Sequence, residues 1–208
     1  MLQQKIAKQL ASFVSEAKLA IIAAPIIYWD DTVIKINCLR VYTDTLVALY
    51  VAHETKSKAG VDEDGILLAL DEETVVVHDH NIINYNDDYV FQNAECCVHL
   101  LRDLQKVTDN LQHEWAGKLS KLLTTTNANR NDGIMTNANE IRNQVKELVK
   151  LGWHEQEQEH SKAYYVSEEA ALLRRIEKYA DNYLMWLYNE DIPFSNNENE
   201  AYVVLKRR

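Results

Sequence analysis

Ile26-Ile27-Tyr28-Trp29-Asp30-Asp31-Thr32 is the stretch on which the reading of this chain turns. A short apolar run ends in two adjacent carboxylates, and a second alternating run, Val33-Ile34-Lys35-Ile36-Asn37, comes at once after it. Apolar residues bounded by breakers predict a buried strand. A carboxylate at the end of such a strand leaves the core while staying rigidly held. The pattern returns at Thr74-Val75-Val76-Val77-His78-Asp79-His80. Two buried strands that each deliver an aspartate can assemble a metal-dependent site from distant segments. A third acid has to come from elsewhere. Asp31 is an alternative to Asp30; neighbouring residues of a strand point to opposite faces, so only one of the two serves.

Working outward, Leu2 to Ala20 predicts a helix, with Ile6, Leu10, Phe13, Val14 and Ala17 at three- and four-residue steps and Pro25 beyond its end. Leu39 to Tyr42 and Leu46 to Val51 add two short strands, which makes an antiparallel meander. Lys58 to Leu70 reads as a helix disturbed by Gly65, and Asn81 to Asp88 as a loop. Gln92 to Val107 reads as a helix with Cys96, Leu100, Leu101 and Leu104 inward. His99, Arg102 and Asp103 share another of its faces. From Leu111 onward the pattern is helical. Leu111, Trp115, Leu119 and Leu122 form one stripe; Ile141, Val145, Leu148 and Val149 form another. A polar linker, Thr124 to Asn139, is expected between them. Ser167 opens a last helix carrying Leu172, Leu173, Ile176, Tyr179 and Tyr183, and Pro193 interrupts the helical pattern beyond it. The expected organisation is an N-terminal helix (1–22), a core with the first two acids (23–110), a helical insertion (111–165) and a C-terminal helical segment carrying the third acid (166–208).

Composition narrows the class. With 208 residues, 47% of them apolar, the chain can bury a sizeable core, and two prolines and five glycines argue against a string of linkers. Three cysteines, with Cys96 and Cys97 adjacent, do not make a disulfide framework and point to a reducing, cytoplasmic setting. Leu19 to Trp29 is too short to span a bilayer and contains Pro25, and no secretory leader is evident. A net charge of −10 is a poor footprint for a stand-alone nucleic-acid binder.

The chemistry that suits strand-borne carboxylates is a pair of Mg²⁺ or Mn²⁺ ions, hard cations that take oxygen ligands and act on phosphodiesters. His99 and Arg102 either contact phosphate or support the site, or else pack and pair locally. Cys96 with His99 would be half a zinc site, but no second ligand pair lies nearby, so core cysteines are favoured. Asn196 and Asn197 either cap the helix carrying Glu200 or touch DNA. Trp115, Trp153 and Trp186 lie on helical stripes and read as core.

Four ordered segments resemble one family. These are Asp30-Asp31-Thr32 closing a strand; His78-Asp79-His80 after a valine-rich strand; Cys96-Cys97-Val98-His99-Leu100-Leu101-Arg102-Asp103-Leu104; and Pro193-Phe194-Ser195-Asn196-Asn197-Glu198-Asn199-Glu200. Together they resemble the catalytic domain of the IS66 family of insertion-sequence transposases, DDE enzymes with an RNase H-like core. The resemblance implies an α/β fold: a mixed sheet with flanking helices and a mostly helical insertion before the last catalytic element. It also implies that Asp30, Asp79 and Glu200 are the catalytic triad and hold Mg²⁺ or Mn²⁺, with Asp31, His99, Arg102, Asn196 and Asn197 as supporting or DNA-contacting residues. The implied reaction is nicking at transposon ends and then strand transfer into target DNA, by a homo-oligomer without a membrane role.

The chain departs from the family pattern in three places. Ala201 stands after Glu200 where the family has arginine, the sequence stops at Arg208, and a cysteine-rich zinc-binding segment is missing at the start. These departures predict a chain truncated at both ends, which would also account for its acidic balance. They leave two alternatives open, an inactive remnant that serves as a folded interaction module and another RNase H-like nuclease.

Overall fold

A computed structural model describes residues 2–34, 37–160 and 163–196. The deciding stretch forms one strand, β1 (Ile26–Ile34), rather than two runs broken at the aspartates. It pairs antiparallel with β2 (Asn37–Thr43), which pairs antiparallel with β3 (Ala48–His53). On its other side β1 runs parallel to β4 (Val75–His78), and β5 (Gln92–Glu95) completes the order β3-β2-β1-β4-β5. The fold is thus α/β with a mixed sheet, as expected.

Alternation along the strands creates one strongly apolar face. Ile27, Trp29, Tyr42 and Val76 lie on it. They pack with Ile21 from helix α1 (Leu2–Ile22), Val61 from helix α2 (Lys58–Asp64), and Ile66, Leu67, Leu70, Tyr89 and Phe91. Trp29 stacks on its cross-strand partner Tyr42, and its indole N–H donates to Asn84 Oδ1 at 3.0 Å. The N-terminal helix reaches this core through Ile21 near its end. Leu10, Phe13 and Val14, which make the helical periodicity legible, are exposed.

The segment expected to be one helix over Lys58 to Leu70 ends at Asp64. Gly65 takes a left-handed conformation (φ 59°), which suits a residue without a Cβ, and its N–H returns to Asp62 O. A separate 3-10 turn comes next, at Leu67–Ala69. The helix expected from Gln92 starts later, because Gln92 N–H donates to Thr74 O and draws this segment into the sheet. Helix α3 is Cys97–Leu111, with Cys97, Leu100, Leu104 and Val107 buried. Sheet pairing here overrides a helical pattern.

The expected polar linker over Thr124 to Asn139 is mostly helix: α4 runs Glu114–Asn131 and α5 Ala138–Gln158. Thr124 and Thr126 hydroxyls donate to backbone carbonyls one turn back, so these polar residues are satisfied inside the helix. Helix α6 begins at Ala163, ahead of Ser167, and ends at Tyr183.

The chain divides into two compact units. One comprises Met1–Ala94 together with the residues from Ser195 on; the other is Glu95–Phe194. In the second unit α3 packs on α4 and α6, α4 on α5, and α5 on α6, which closes a ring of four helices. The two ends of this unit meet, since Cys97 N–H donates to Phe194 O at 3.0 Å. Among the described residues no helix is long and apolar enough to cross a membrane.

Candidate metal centre

Strand register brings the first two acids together. In the parallel pair Trp29 lies opposite His78, and the next residues on the two segments are Asp30 and Asp79. Asp30 is not at the end of its own strand, because β1 continues to Ile34. It lies where the neighbour stops, since β4 ends at His78 while β2 accompanies β1 to the end. The carboxylate thus leaves the sheet at a step in its edge.

Asp30 is organised by its own tripeptide. Its Oδ1 accepts from the Asp31 N–H at 2.8 Å and its Oδ2 from the Thr32 hydroxyl at 3.0 Å. Among the described residues no lysine, arginine or histidine pairs with Asp30. Asp30 and Asp79 are both half-exposed. Hard carboxylate oxygens on neighbouring rigid positions fit a Mg²⁺ or Mn²⁺ ligand set. The described residues contain no group of three His, Cys, Asp or Glu side chains able to hold a metal. Glu200 and Asn197 lie outside the described residues.

Asp31 has a different environment. It is buried on the opposite face, where its cross-strand partner is Arg40, with Arg40 Nε 3.6 Å from Asp31 Oδ2. Burial raises the Asp31 pKa above the ordinary carboxylate range, although Lys56 and Arg40 pull the other way. Arg40 is fully buried. Its Nη1 donates to Asp64 Oδ2 at 3.2 Å and its Nη2 to Thr55 O at 3.1 Å. Asp64 also accepts from the Tyr42 hydroxyl at 2.7 Å and has His53 Nε2 at 2.5 Å from Oδ1. Burial and the bond to Asp64 push the Tyr42 pKa up.

This network was not among the residues singled out from the sequence. A signal was present, however: Arg40 is a charged residue inside Leu39-Arg40-Val41-Tyr42, at a position where alternation with Tyr42 requires burial. A buried arginine needs acidic partners.

The other candidates divide between the two units. His78 is buried, with Nε2 2.9 Å from Asn93 Oδ1, and His80 packs by its ring against Tyr85. Asn196 is buried. In the helical unit His99 Nε2 and Arg102 Nη1 of α3 are 3.3 Å apart, and Asp103 accepts from Lys106 and Arg175. Cys96 and Cys97 are buried free thiols, and Cys97 Sγ donates to Tyr183 O. Of the tryptophans on the helical stripes, Trp115 and Trp186 are fully buried and Trp153 is half-buried.

A mixed sheet with Asp30 inside β1 and Asp79 just past the end of the parallel β4, in a chain that also carries a four-helix unit, defines an α/β protein with carboxylates on two adjacent central strand segments. The model of the Transposase IS66 family matches residues 2–207, and the chain belongs to that family. Comparison with curated proteins and with solved structures gives no match.

Proposed function

We propose that this chain is the catalytic domain of a DDE transposase with an RNase H-like core. Asp30, Asp79 and Glu200 hold a pair of Mg²⁺ or Mn²⁺ ions, and the substrate is DNA at insertion-sequence ends. The reaction is phosphodiester cleavage and then strand transfer. The observation that carries this reading is the adjacency of Asp30 and Asp79 in the β1–β4 register. The step in the sheet edge supports it further, since a carboxylate there is accessible without leaving a rigid strand.

Bound at these carboxylates, the ions supply Lewis-acid activation of water or a 3′-hydroxyl and charge neutralisation at the phosphodiester. The chain's own residues provide orientation. The Asp31 N–H and the Thr32 hydroxyl hold the Asp30 carboxylate in one rotamer, leaving its remaining lone pairs for the ions. His99 and Arg102 are supporting or DNA-contacting residues, and residues 111–165 are the helical insertion before the third acid. Asn196 and Asn197 support the segment that carries Glu200. The working protein is a cytoplasmic homo-oligomer on paired DNA ends.

Calorimetric titration of the full chain and of Asp79→Ala with Mn²⁺ is the test. Binding in the wild type that is lost in the variant supports the site, and absence of binding in both overturns it. The replacement of the family's arginine by Ala201 favours a second reading, an inactive remnant. Mn²⁺ binding without nicking of insertion-sequence-end DNA would decide for that one.

A further inference from the structure

Asp31 touches the proposed centre through its backbone and a buried cation through its side chain. Its N–H donates to Asp30 Oδ1, its C=O accepts from Lys56 Nζ, and its carboxylate faces Arg40. The residue whose N–H orients Asp30 is therefore held at three points. We infer that Arg40, acting through Asp31, is a positioning residue for Asp30. This rests on the proposed metal site and adds residues that never meet the metal.

The clamp is rigid for physical reasons. Both Asp31 carboxylate oxygens are buried and accept no hydrogen bond among the described residues, so the nearby cations Lys56 and Arg40 are their compensation, Arg40 through direct ionic contact. A buried charge without its partner is strongly destabilised. Arg40 cannot swing away to relieve it, because its guanidinium is tied to Asp64 and to Thr55 O. It is also backed by α2. A Cβ on Gly60 would lie 3.0 Å from Arg40 Nη2, so the helix packs closely on the guanidinium. Ser57 Oγ caps α2 by accepting from the Gly60 N–H at 3.2 Å. The chain of restraint runs from α2 to Arg40, to Asp31, and through its peptide to the Asp30 carboxylate. Hydrogen-bonding partners behind a ligand commonly govern metal affinity by about 10- to 100-fold.

The test is Mn²⁺ affinity by calorimetry on the full chain, Asp31→Asn, Arg40→Lys and the double variant. Circular dichroism and urea unfolding establish that each is folded. Gly152→Ala, in the helical unit, is the comparison for a change that lowers stability alone. Asp31→Asn is nearly isosteric and is expected to bind Mn²⁺ about tenfold more weakly. Arg40→Lys keeps the charge and loses less. The double variant loses no more than Asp31→Asn, because both act through one contact. Gly152→Ala binds as the wild type does. Unchanged affinity in folded Asp31→Asn overturns the inference alone. Tighter binding in Arg40→Lys would mean that a released Asp31 is itself a ligand, which also overturns it. A wild-type chain that binds no Mn²⁺ overturns the site and this inference with it.

Discussion

The indole N–H of Trp115 donates to Glu169 Oε1 at 2.6 Å, and His113 Nδ1 lies 2.7 Å from the same oxygen. Glu169 is fully buried, so a carboxylate sits inside the four-helix ring with two nitrogen partners from the start of α4. Removing it leaves a buried indole donor unpaired and a hole behind it. Glu169→Ala is expected to cost about 3 kcal/mol in urea unfolding, while Glu169→Gln, which keeps an acceptor, costs less. Equal losses in the two variants would show that volume, not hydrogen bonding, matters here.

Gly152 lies at a close helix contact in the same unit. A Cβ there would come within 2.6 Å of Leu173 Cδ2 and 2.8 Å of the Trp115 ring. Alanine is ordinarily the better helix former by about 1 kcal/mol. The clash outweighs that gain, and Gly152→Ala is expected to destabilise by about 1–3 kcal/mol on urea unfolding. A stabilised variant would mean that α5 can move away from α4 and α6 at little cost.

Asp103 bonds across from α3 to Arg175 of α6 at 2.7 Å and to Lys106 at 2.8 Å. Burial pushes its carboxyl up, but the two cations outweigh it and hold the pKa below the ordinary 3.8. A carboxyl with a depressed folded pKa binds protons more weakly when folded than when unfolded. Its contribution is therefore complete above pH 3.8 and is lost as the pH falls through the lower folded value. The wild type should exceed Asp103→Asn by about 1 kcal/mol at pH 7, with the gap closing below pH 3.8. Denaturant titrations across that range measure it.

Thr32 gives a functional counterpart. Its hydroxyl donates to Asp30 Oδ2 without belonging to the Arg40 network. Thr32→Val keeps the shape and removes the donor, and Mn²⁺ affinity is expected to fall a few-fold with little change in unfolding. An unaffected affinity would mean that Asp30 turns to its ligand position without this bond.

Where patterning and pairing agreed, the sequence was readable. Ile26 to Trp29 and Val75 to Val77 were recognisable strands because both faces of each are buried, and α1, α5 and α6 were visible in their apolar spacing. The adjacency of Asp30 and Asp79 is a register property, and no local pattern encodes which strands become neighbours. Gln92 to Glu95 read as helix because a four-residue strand carries little signal of its own, and its pairing with the preceding strand is not encoded locally. Thr124 to Asn131 read as linker because Thr and Asn favour loops intrinsically, whereas back-bonding and the burial of Thr126 keep them helical. Arg40 was overlooked because a single charge in a strand is usually solvent-facing. Only the convergence of Asp31, Asp64 and Tyr42 shows why it is inside.

The meeting of Cys97 and Phe194 has a bearing on how this architecture can change. A hundred-residue excursion whose two ends meet at one neck sets the separation of those ends within itself. Closure cost rises only slowly with the length enclosed. Such an excursion can lengthen, shorten or exchange its helices over generations while the aspartates on β1 and β4 keep their register. The α/β core can stay fixed while the helical unit varies.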